Sequence, residues 1–407
     1  MFTLGKTTKR LALASGLLAA AVGVAVGSGV IAGSNSRAAS RHPVTKTART
    51  IPRQAPGTWR RLPAAPIEVD AGLTSVWTGT EMIVSGIRAD SPDGSFVKST
   101  DVAAAFNPAT QAWRRLAAPP KTQSFCRRSS VWTGKEMLVW GCNQVAFNPA
   151  SNTWRRLPSA PTRQGIVAWT GRELIGWGGG CCGDVSDEGS AYNPQTNTWR
   201  KLAPAPVPGQ QSPTGAWTGR ELVIFNGHDP DGKPVGGAAY NPTTDTWRRI
   251  SPMPASTLGG LAVWDGQEIL IVGGNDQQGA PATVGFGYDP RTNHYRRLVP
   301  MDSGLMQAVA VWTGKQLIVW GGQTDHGDPA HGLAYDPRAN RWSPFLQAAP
   351  VGSRVDPTAL WTGHEVIVWG GVLGTPVGTS SPPKHPFDGA SFIPARTPPM
   401  PPQCCGG

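Results

Sequence analysis

The sequence predicts an all-β fold, and three observations lead to that prediction. Only 15% of the 407 residues are charged, and no long segment places hydrophobic residues at helical spacing. Gly and Pro, which bend or end strands, are abundant, with 51 and 39 residues. A short motif, Trp-Thr-Gly or Trp-Asp-Gly, recurs seven times. These features indicate many short strands joined by tight turns, and they argue against coiled coils and helical solenoids.

The recurring motif divides the chain into seven units. Successive motifs are 47 to 49 residues apart, except for the first two intervals of 55 and 37 residues. The motifs begin at Trp77, Trp132, Trp169, Trp217, Trp264, Trp312 and Trp361. A period of this length is typical of repeat architectures. Each unit is therefore expected to bury its apolar faces against neighbouring units.

Each unit is predicted to hold four short strands, a to d. Strand a ends at the motif Trp, and the Gly two residues later supplies the positive φ of a tight hairpin. Strand b is a continuous apolar run, such as Met137 to Trp140, and is expected to pack on both faces. Strand c ends at an aromatic residue followed by Asn-Pro or Asp-Pro, because Pro does not fit inside a paired strand. Strand d contains an aromatic residue seven positions later, for example Trp154 after Phe147.

The two ends of the repeat region complement each other. The seventh unit runs from Trp361 to Gly371 and has a third strand near Ala390 to Pro394, but it lacks a strand-d Trp. The segment Trp59 to Leu62 has the strand-d pattern with no unit before it. Pairing the two segments would close a ring and remove the free edges. The sequence therefore predicts a seven-bladed β-propeller whose last blade is built from both termini.

A second pattern concerns the end of strand b and the aromatic residues that follow it. A hydrophobic strand ends in Gly178-Gly179 and is followed by Tyr192 and Trp199. The pattern recurs at Gly273-Gly274, Tyr288 and Tyr295. With these motifs the chain, from about residue 57 to 394, resembles the kelch-repeat β-propellers, the superfamily of the galactose oxidase central domain. Units 1, 2 and 4 lack the full Gly-Gly pair and depart from the family pattern at those loops.

The positive charge is concentrated at the N-terminus. Residues 1–53 hold eight Lys or Arg and no acid, whereas the remaining chain carries a surplus of only three bases. An uncharged apolar run from Leu11 to Ala32 follows three bases, which predicts a signal peptide or signal anchor over residues 1–39. We expect a secreted or cell-envelope protein that is attached to a membrane only if the leader is uncleaved. No nucleic-acid partner is expected.

The remaining boundaries follow from composition. A flexible basic linker is predicted over residues 40–56, the seven-bladed propeller over residues 57–394, and a Pro-rich tail ending in Cys-Cys-Gly-Gly over residues 395–407.

The Trp and Tyr residues all occupy repeat positions, so packing between blades accounts for them and leaves no separate stacking platform for sugars. Arg pairs such as Arg114-Arg115 and Arg155-Arg156 follow the strand-d Trp. On the outermost strand of a blade, such charges discourage edge-to-edge aggregation. The alternative interpretation is a basic girdle that binds an anionic wall polymer or lipid head groups.

The family resemblance also implies where a ligand would bind. Propellers usually bind ligands at the face and central mouth formed by the d-to-a and b-to-c loops. Residues five to seven places before each strand-a Trp should ring that mouth. The predicted ligand-binding residues are Asp70, Arg127, Arg163, Gln164, Gln211, Gln307, Arg354 and Asp356, with Gln210 beside them. The three Arg could hold a carboxylate or sulfate; alternatively, Arg163 is structural, as in many kelch repeats.

No cofactor, metal or catalytic residue is predicted. The loop residues His228, His326 and His331 lie in two non-adjacent units, whereas a metal site needs three or four converging ligands. A copper oxidase resembling galactose oxidase would need two Tyr and two His on copper, and every Tyr here is in a packing position. No GxSxG elbow is present. An epimerase-like site for a sugar acid, built from Arg and acidic residues at the mouth, is the enzyme alternative.

The six Cys residues fit an oxidising compartment. Cys126 begins strand a of the second unit and Cys142 ends its strand b, so the hairpin brings them close and predicts a disulfide. The vicinal pairs Cys181-Cys182 and Cys404-Cys405 allow vicinal disulfides, intermolecular bonds or a soft-metal thiolate site. The sequence as a whole predicts a binding scaffold for a protein or glycan partner outside the cytoplasm.

Overall fold

The protein is described by a computed structural model, and the fold is all-β. The residues described are 57–90, 98–121, 128–141, 144–162, 165–181, 184–209, 213–225, 236–255, 259–276, 279–324, 332–345, 347–373 and 386–394. The predicted leader, linker and Cys-Cys tail lie outside these ranges. Within the ranges no helix is long and apolar enough to cross a bilayer.

Seven four-stranded antiparallel sheets form the blades, as the sequence predicts. The chain enters through β1 (Thr58–Arg61), which belongs to the last blade. Blades 1 and 2 comprise β2 (Ala71–Trp77), β3 (Met82–Ala89), β4 (Ser99–Asn107) and β5 (Ala112–Arg115), then β6 (Ser129–Trp132), β7 (Met137–Trp140), β8 (Val145–Asn148) and β9 (Thr153–Arg156). Blade 3 and its mouth loop comprise β10 (Ile166–Trp169), β11 (Leu174–Trp177), β12 (Gly180–Cys181), β13 (Asp184–Val185), β14 (Gly189–Asn193) and β15 (Thr198–Lys201).

Blades 4 to 7 repeat the same arrangement. Blades 4 and 5 comprise β16 (Thr214–Trp217), β17 (Leu222–Phe225), β18 (Ala238–Asn241) and β19 (Thr246–Arg249), then β20 (Leu261–Trp264), β21 (Ile269–Val272), β22 (Phe286–Asp289) and β23 (His294–Arg297). Blade 6 comprises β24 (Met306–Trp312), β25 (Leu317–Gln323), β26 (Leu333–Asp336) and β27 (Arg341–Pro344). Blade 7 and its mouth loop comprise β28 (Arg354–Val355), β29 (Thr358–Trp361), β30 (Val366–Trp369), β31 (Val372–Leu373) and β32 (Gly389–Ile393), with β1 as its fourth strand.

The ring closes through the two ends of the repeat region. Strand β1 pairs antiparallel with β32, placing Trp59 opposite Phe392, and β32 pairs in turn with β30. The predicted closure is therefore confirmed. At the centre, the first strand of every blade contacts the first strands of both neighbours, so the inner strands form a complete ring. The second strands are buried on both faces, as their continuous apolar sequence requires.

The face opposite the mouth is built from the a-to-b hairpins. In blade 2, the Thr133 hydroxyl accepts a hydrogen bond from Glu136 N at 2.9 Å and donates to Glu136 O at 3.1 Å. Gly134 between them has a φ of +90°, which explains the Gly of the motif. Asp265 replaces the Thr in blade 5, and its carboxylate accepts from Glu268 N at 2.8 Å. These turns hold each hairpin in one geometry.

At the outer rim, an Arg on the fourth strand pairs with a Glu of the same blade, and in blade 2 this Arg also contacts the next blade. Arg155 on β9 donates from Nη2 to Glu136 at 2.8 Å, and from Nη1 to the Tyr192 hydroxyl of blade 3 at 3.1 Å. Six blades carry such a pair: Arg60–Glu365, Arg114–Glu81, Arg155–Glu136, Arg200–Glu173, Arg248–Glu221 and Arg296–Glu268. Blade 6 has Gln316 and Ser343 at the two positions, so both charges are missing together. The first Arg of each predicted Arg pair is thus neutralised by a carboxylate.

The electrostatics of this rim follow from these contacts. Hydrogen bonds to Glu173 raise the pKa of Arg200, and burial, which acts in the opposite direction, does not cancel that effect. Burial raises the pKa of Tyr240 above its ordinary value, and the hydrogen bond to Asp245 adds to the shift. The rim between blades 3 and 4 therefore holds a charged Arg200 beside a Tyr240 that stays neutral at ordinary pH.

Candidate functional site

The mouth face is formed by the d-to-a and b-to-c connections, and the Gly-Gly pairs shape it. At Gly321, with a φ of +75°, a Cβ would lie 2.5 Å from the Arg354 carbonyl of the next blade. At Gly273, with a φ of +67°, a Cβ would lie 2.6 Å from the Leu305 carbonyl. A side chain at either position would collide with the loop of the next blade. The Gly-Gly pair therefore lets neighbouring mouth loops pass against each other.

Four of the predicted ligand-binding residues, Asp70, Gln307, Arg354 and Asp356, fall within the described ranges. The others lie outside them: Arg127, Arg163, Gln164 and Gln211, with Gln210. The predicted disulfide partners Cys126 and Cys142 also lie outside them. The backbone of Cys181 pairs with that of Asp184 in the small β12–β13 ribbon. Ligand binding by these residues and the disulfide stay predictions.

Gln307 and Asp356 are brought together at the rim of the mouth between blades 6 and 7. The backbone amide of Asp356 donates to the Gln307 carbonyl at 3.0 Å, and both residues are exposed. Both have positive φ, 54° and 49°. Six other non-glycine residues with positive φ are recorded, and all occupy the same position of the c-to-d turns. Backbone strain in non-glycine residues concentrates at binding and catalytic sites, which marks this pair as the candidate site.

Arg354 anchors the loop beneath this pair. Its guanidinium is almost fully buried, with Nη1 donating to Gly352 O at 2.6 Å and Nη2 to Asp388 at 2.5 Å. Its Nε is buried without a hydrogen-bond partner in the described structure. The backbone of Arg354 pairs with Leu373 in the β28–β31 ribbon. In this arrangement the Arg354 side chain is shielded from solvent and positions the loop that carries Asp356.

Asp70 also has a structural contact on the mouth face. Its carboxylate accepts a hydrogen bond from Ala89 N at 2.8 Å, and its own amide donates to Ile87 O at 2.8 Å. These bonds extend the ladder between the first two strands of blade 1. Asp70 therefore fixes the top of that blade, and it remains half-buried.

A buried ion pair on the mouth side was not anticipated from the sequence. Arg128 Nη2 lies 2.5 Å from Asp101 Oδ1, and the two side chains are only 5% and 4% exposed. The pair links the third strand of blade 1 to the loop entering blade 2. Removing one partner of such a pair leaves a buried charge without compensation, so both are required. The spacing from the motif Trp selected Arg127 as a mouth residue and did not single out its neighbour Arg128.

The chemistry available at the 6/7 rim is polar recognition. Gln307 offers an amide that donates and accepts, and Asp356 offers a carboxylate that accepts from hydroxyl or amide groups. Within the described ranges no group of three or more His, Cys, Asp or Glu is placed to hold a metal ion.

The fold defines the class of this protein as a seven-bladed β-propeller with a polar rim at its mouth. No protein-family model matches the sequence, and no curated protein matches it significantly.

Proposed function

We propose that this chain is an exported, kelch-type β-propeller that binds a protein or glycan partner at the mouth rim of blades 6 and 7. One observation carries the proposal: among the described residues, Gln307 and Asp356 are the two non-glycine residues with positive φ outside the c-to-d turns, and their backbones are hydrogen-bonded to each other. The sequence independently selects both as mouth residues. Export is proposed on the leader over residues 1–39.

The rim is suited to recognition because its polar groups are held in advance. The backbone hydrogen bond between Asp356 and Gln307 fixes their relative position, and the buried Arg354 guanidinium holds the loop from below. A ligand therefore need not order these groups when it binds, which lowers the entropic cost of association. Hydroxyl groups of a sugar and amide groups of a peptide both match this donor and acceptor set.

The test is capture of a partner by the full-length chain, expressed with its leader and recovered from the cell envelope or the medium. Capture from envelope extract and a glycan-binding screen are compared for the native chain and for Gln307→Ala combined with Asp356→Ala. We expect the double variant to lose a saturable partner. Gln111→Ala is the matched control, because Gln111 has the same strained backbone, with a φ of 55°, on the opposite face.

Two results would count against the proposal. If the double variant captured the partner as well as the native chain does, the binding site would not lie at the rim of blades 6 and 7. Recovery of a small sugar acid in chemically changed form would contradict the scaffold proposal and indicate an enzyme of the epimerase type.

A further inference from the structure

The face opposite the mouth presents one variable residue per blade on an invariant frame. In each a-to-b turn, a Thr or Asp side-chain oxygen accepts a hydrogen bond from the backbone amide three residues later, and the residue after the Gly is exposed. These turn residues are all exposed: Thr80, Lys135, Arg172, Arg220, Gln267, Lys315 and His364. The seven turns therefore present one exposed side chain each on the face opposite the mouth.

Three consecutive turns place cations side by side. Lys135, Arg172 and Arg220 lie on blades 2, 3 and 4, and no ion pair is recorded for any of them within the described ranges. By contrast, the rim arginines of the same blades are bound to Glu136, Glu173 and Glu221. We call Lys135, Arg172 and Arg220 the cationic arc. Its charge is not neutralised by neighbouring carboxylates and is available to a ligand.

Partly exposed indoles lie next to the cationic arc. Each motif Trp ends an inner strand at this face and packs one side against the blade core, while the residue keeps partial exposure. Trp169, Trp217 and Trp264 occupy these positions beside the arc. Sequence reasoning assigned every Trp to packing, and the structure shows that the motif Trp residues also reach the surface. An exposed indole provides a flat apolar surface next to a cation.

A cleft at the end of the arc combines the two features. It has a volume of about 670 Å³ and lies between blades 4 and 5. Its lining includes Arg220, Glu221, Arg248, Trp264 and Arg291. Glu221 binds Arg248 at 2.7 Å, and Asp289 binds Arg291 at 3.1 Å, so both of these arginines are neutralised. Arg220 supplies the surplus positive charge of the cleft, whose volume is in the range of small-ligand sites.

We propose that this face binds a linear acidic glycan. One acidic sugar occupies the cleft with its ring against Trp264 and its carboxylate or sulfate at Arg220. The polymer then follows the cationic arc to Arg172 and Lys135. A glycan fits because its rings present apolar faces to an indole while its acidic groups repeat along the chain, as the cations do. Arg is suited to the cleft because its planar guanidinium can bind such a group through two parallel hydrogen bonds.

This inference goes beyond the proposed function because it uses none of the residues at the mouth rim. A chain with Gln307→Ala and Asp356→Ala is expected to keep full binding to an acidic glycan. Failure of one proposal therefore leaves the other open to its own test.

Binding is measured by titrating the full-length chain with three probes: polygalacturonate, neutral dextran and polyglutamate. We expect saturable binding of polygalacturonate that is lost at about 0.5 M salt, where exposed charges are screened within a few ångströms. Dextran should not bind. Polyglutamate, which carries charge but no sugar ring, should bind roughly tenfold more weakly.

Two matched charge reversals locate the site. Arg220→Glu is expected to raise the Kd for polygalacturonate by roughly tenfold or more, because like charges then face each other in the cleft. Lys315→Glu makes the same charge change at the same turn position of blade 6, away from the arc, and should have little effect. Both residues are exposed and outside any recorded ion pair, so neither change should unfold the blade.

The variant Trp264→Ala distinguishes whether the ligand of this face is a glycan or an acidic protein segment. We expect it to weaken polygalacturonate binding while leaving polyglutamate binding unchanged, and Trp264→Phe to restore much of the loss. Equal binding of polyglutamate and polygalacturonate, with no effect of Trp264→Ala, would overturn the glycan assignment in favour of an acidic peptide. Equal effects of Arg220→Glu and Lys315→Glu would overturn the site.

Discussion

Blades 3 to 6 and blades 7, 1 and 2 are joined to their neighbours by different chemistry. In blades 3 to 6 the third strand carries a Tyr: Tyr192, Tyr240, Tyr288 and Tyr335. In the other three blades the same position is Phe392, Phe106 or Phe147. We call these the tyrosine sector and the closure sector, since the latter contains the blade built from both termini.

The tyrosine sector is joined at its outer rim. Tyr240 donates to Asp245 at 2.6 Å and accepts from Arg200 of the preceding blade at 3.3 Å. The Asp245 carboxylate also accepts from Ala203 N of that blade at 3.1 Å. At this junction a charged group, a phenol and a backbone amide are therefore bonded together. A Phe in place of the Tyr cannot make this connection.

In the closure sector, pairs of side-chain hydroxyls connect the inner strands of neighbouring blades. The hydroxyls of Thr74 and Ser130 lie 2.5 Å apart across blades 1 and 2, and those of Ser75 and Thr358 are hydrogen-bonded across blades 1 and 7. The inner strands of the tyrosine sector are mostly apolar, although Thr214 donates to Gly260 O across blades 4 and 5. The comparison shows that hydroxyl pairs at the inner rim (the inner seam) occur at two junctions, between blades 1 and 2 and between blades 7 and 1, where no third-strand Tyr bonds at the outer rim (the outer seam).

The junction between blades 6 and 7 has neither seam among its described side chains, and aromatic packing seals it. The ring of Trp59 lies 6.2 Å from Trp320, 6.1 Å from Phe345 and 5.1 Å from Phe392. The indole Nε1 of Trp59 is buried without a hydrogen-bond partner. The equivalent atom of Trp247 donates to Ala203 O at 2.9 Å. Apolar contact is therefore what joins the closing strand at Trp59 to blade 6.

The largest expected effect is on this closing contact. Trp59→Ala should lower the free energy of unfolding by about 3–5 kcal/mol, because it removes the ring that three other aromatic side chains contact. Urea denaturation followed by tryptophan fluorescence measures the loss.

Phe substitutions distinguish the two kinds of junction. Trp247→Phe should cost about 1 kcal/mol more than Trp59→Phe, since only Trp247 loses a hydrogen bond. A larger cost at Trp59 would contradict the assignment of that junction to apolar packing.

The inner seam is tested by Thr74→Val. Ser130 donates to Ser75 O at 3.0 Å, so Thr74 is the donor to Ser130, and its loss should cost about 1 kcal/mol. Combining the change with Ser130→Ala gives a double-mutant cycle in which we expect a coupling energy of similar size. Strictly additive costs would show that the two hydroxyls do not act together.

The outer seam is tested by Tyr240→Phe, which introduces the residue of the closure sector. At neutral pH the lost hydrogen bonds should cost about 1 kcal/mol. Burial raises the pKa of Tyr240, Tyr288, Tyr295 and Tyr335 in the folded protein. The unfolded chain therefore ionises first, so stability is retained below about pH 10 and falls as the pH rises further.

The pH dependence of the free energy of unfolding provides the control for Tyr240→Phe. Tyr240→Phe should lose less stability than the native chain between pH 9 and pH 11, about the ordinary tyrosine pKa. An unchanged alkaline slope would mean that Tyr240 is not held neutral by its surroundings.

The smallest effect is expected from completing the pattern in blade 6. Gln316→Glu with Ser343→Arg supplies the missing pair, but the next blade offers Phe392 where a Tyr hydroxyl would be needed. The gain should be below about 0.5 kcal/mol, as for other exposed ion pairs. A gain above 1 kcal/mol, measured by urea denaturation, would show that the Tyr contributes little to the outer seam.

Much of the fold could be predicted because each blade is specified by a short sequence pattern that recurs along the chain. The motif Gly at Gly134, the Pro after Asn148 and the apolar run of β7 each specify a turn, a strand end or a doubly buried strand. Closure by Trp59 was predictable because the N-terminal and C-terminal segments each lacked what the other supplied.

The candidate site was predictable only in part. The sequence marked Gln307 and Asp356 as mouth residues by their distance from a motif Trp, but their contact joins two blades and depends on how the loops cross. Arg354 was selected by the same spacing, and its burial against Asp388 follows from the β28–β31 ribbon, which no local pattern shows.

The sequence by itself determined the number of blades, their strands and the way the ring closes, because these depend on local turns and on a repeated apolar pattern. Only the tertiary structure decided which charges are neutralised, where each seam lies and which indoles reach the surface. Those properties depend on contacts between blades, whose residues lie, for example, 37 or 283 positions apart in the chain. They also depend on the burial that the closed ring imposes.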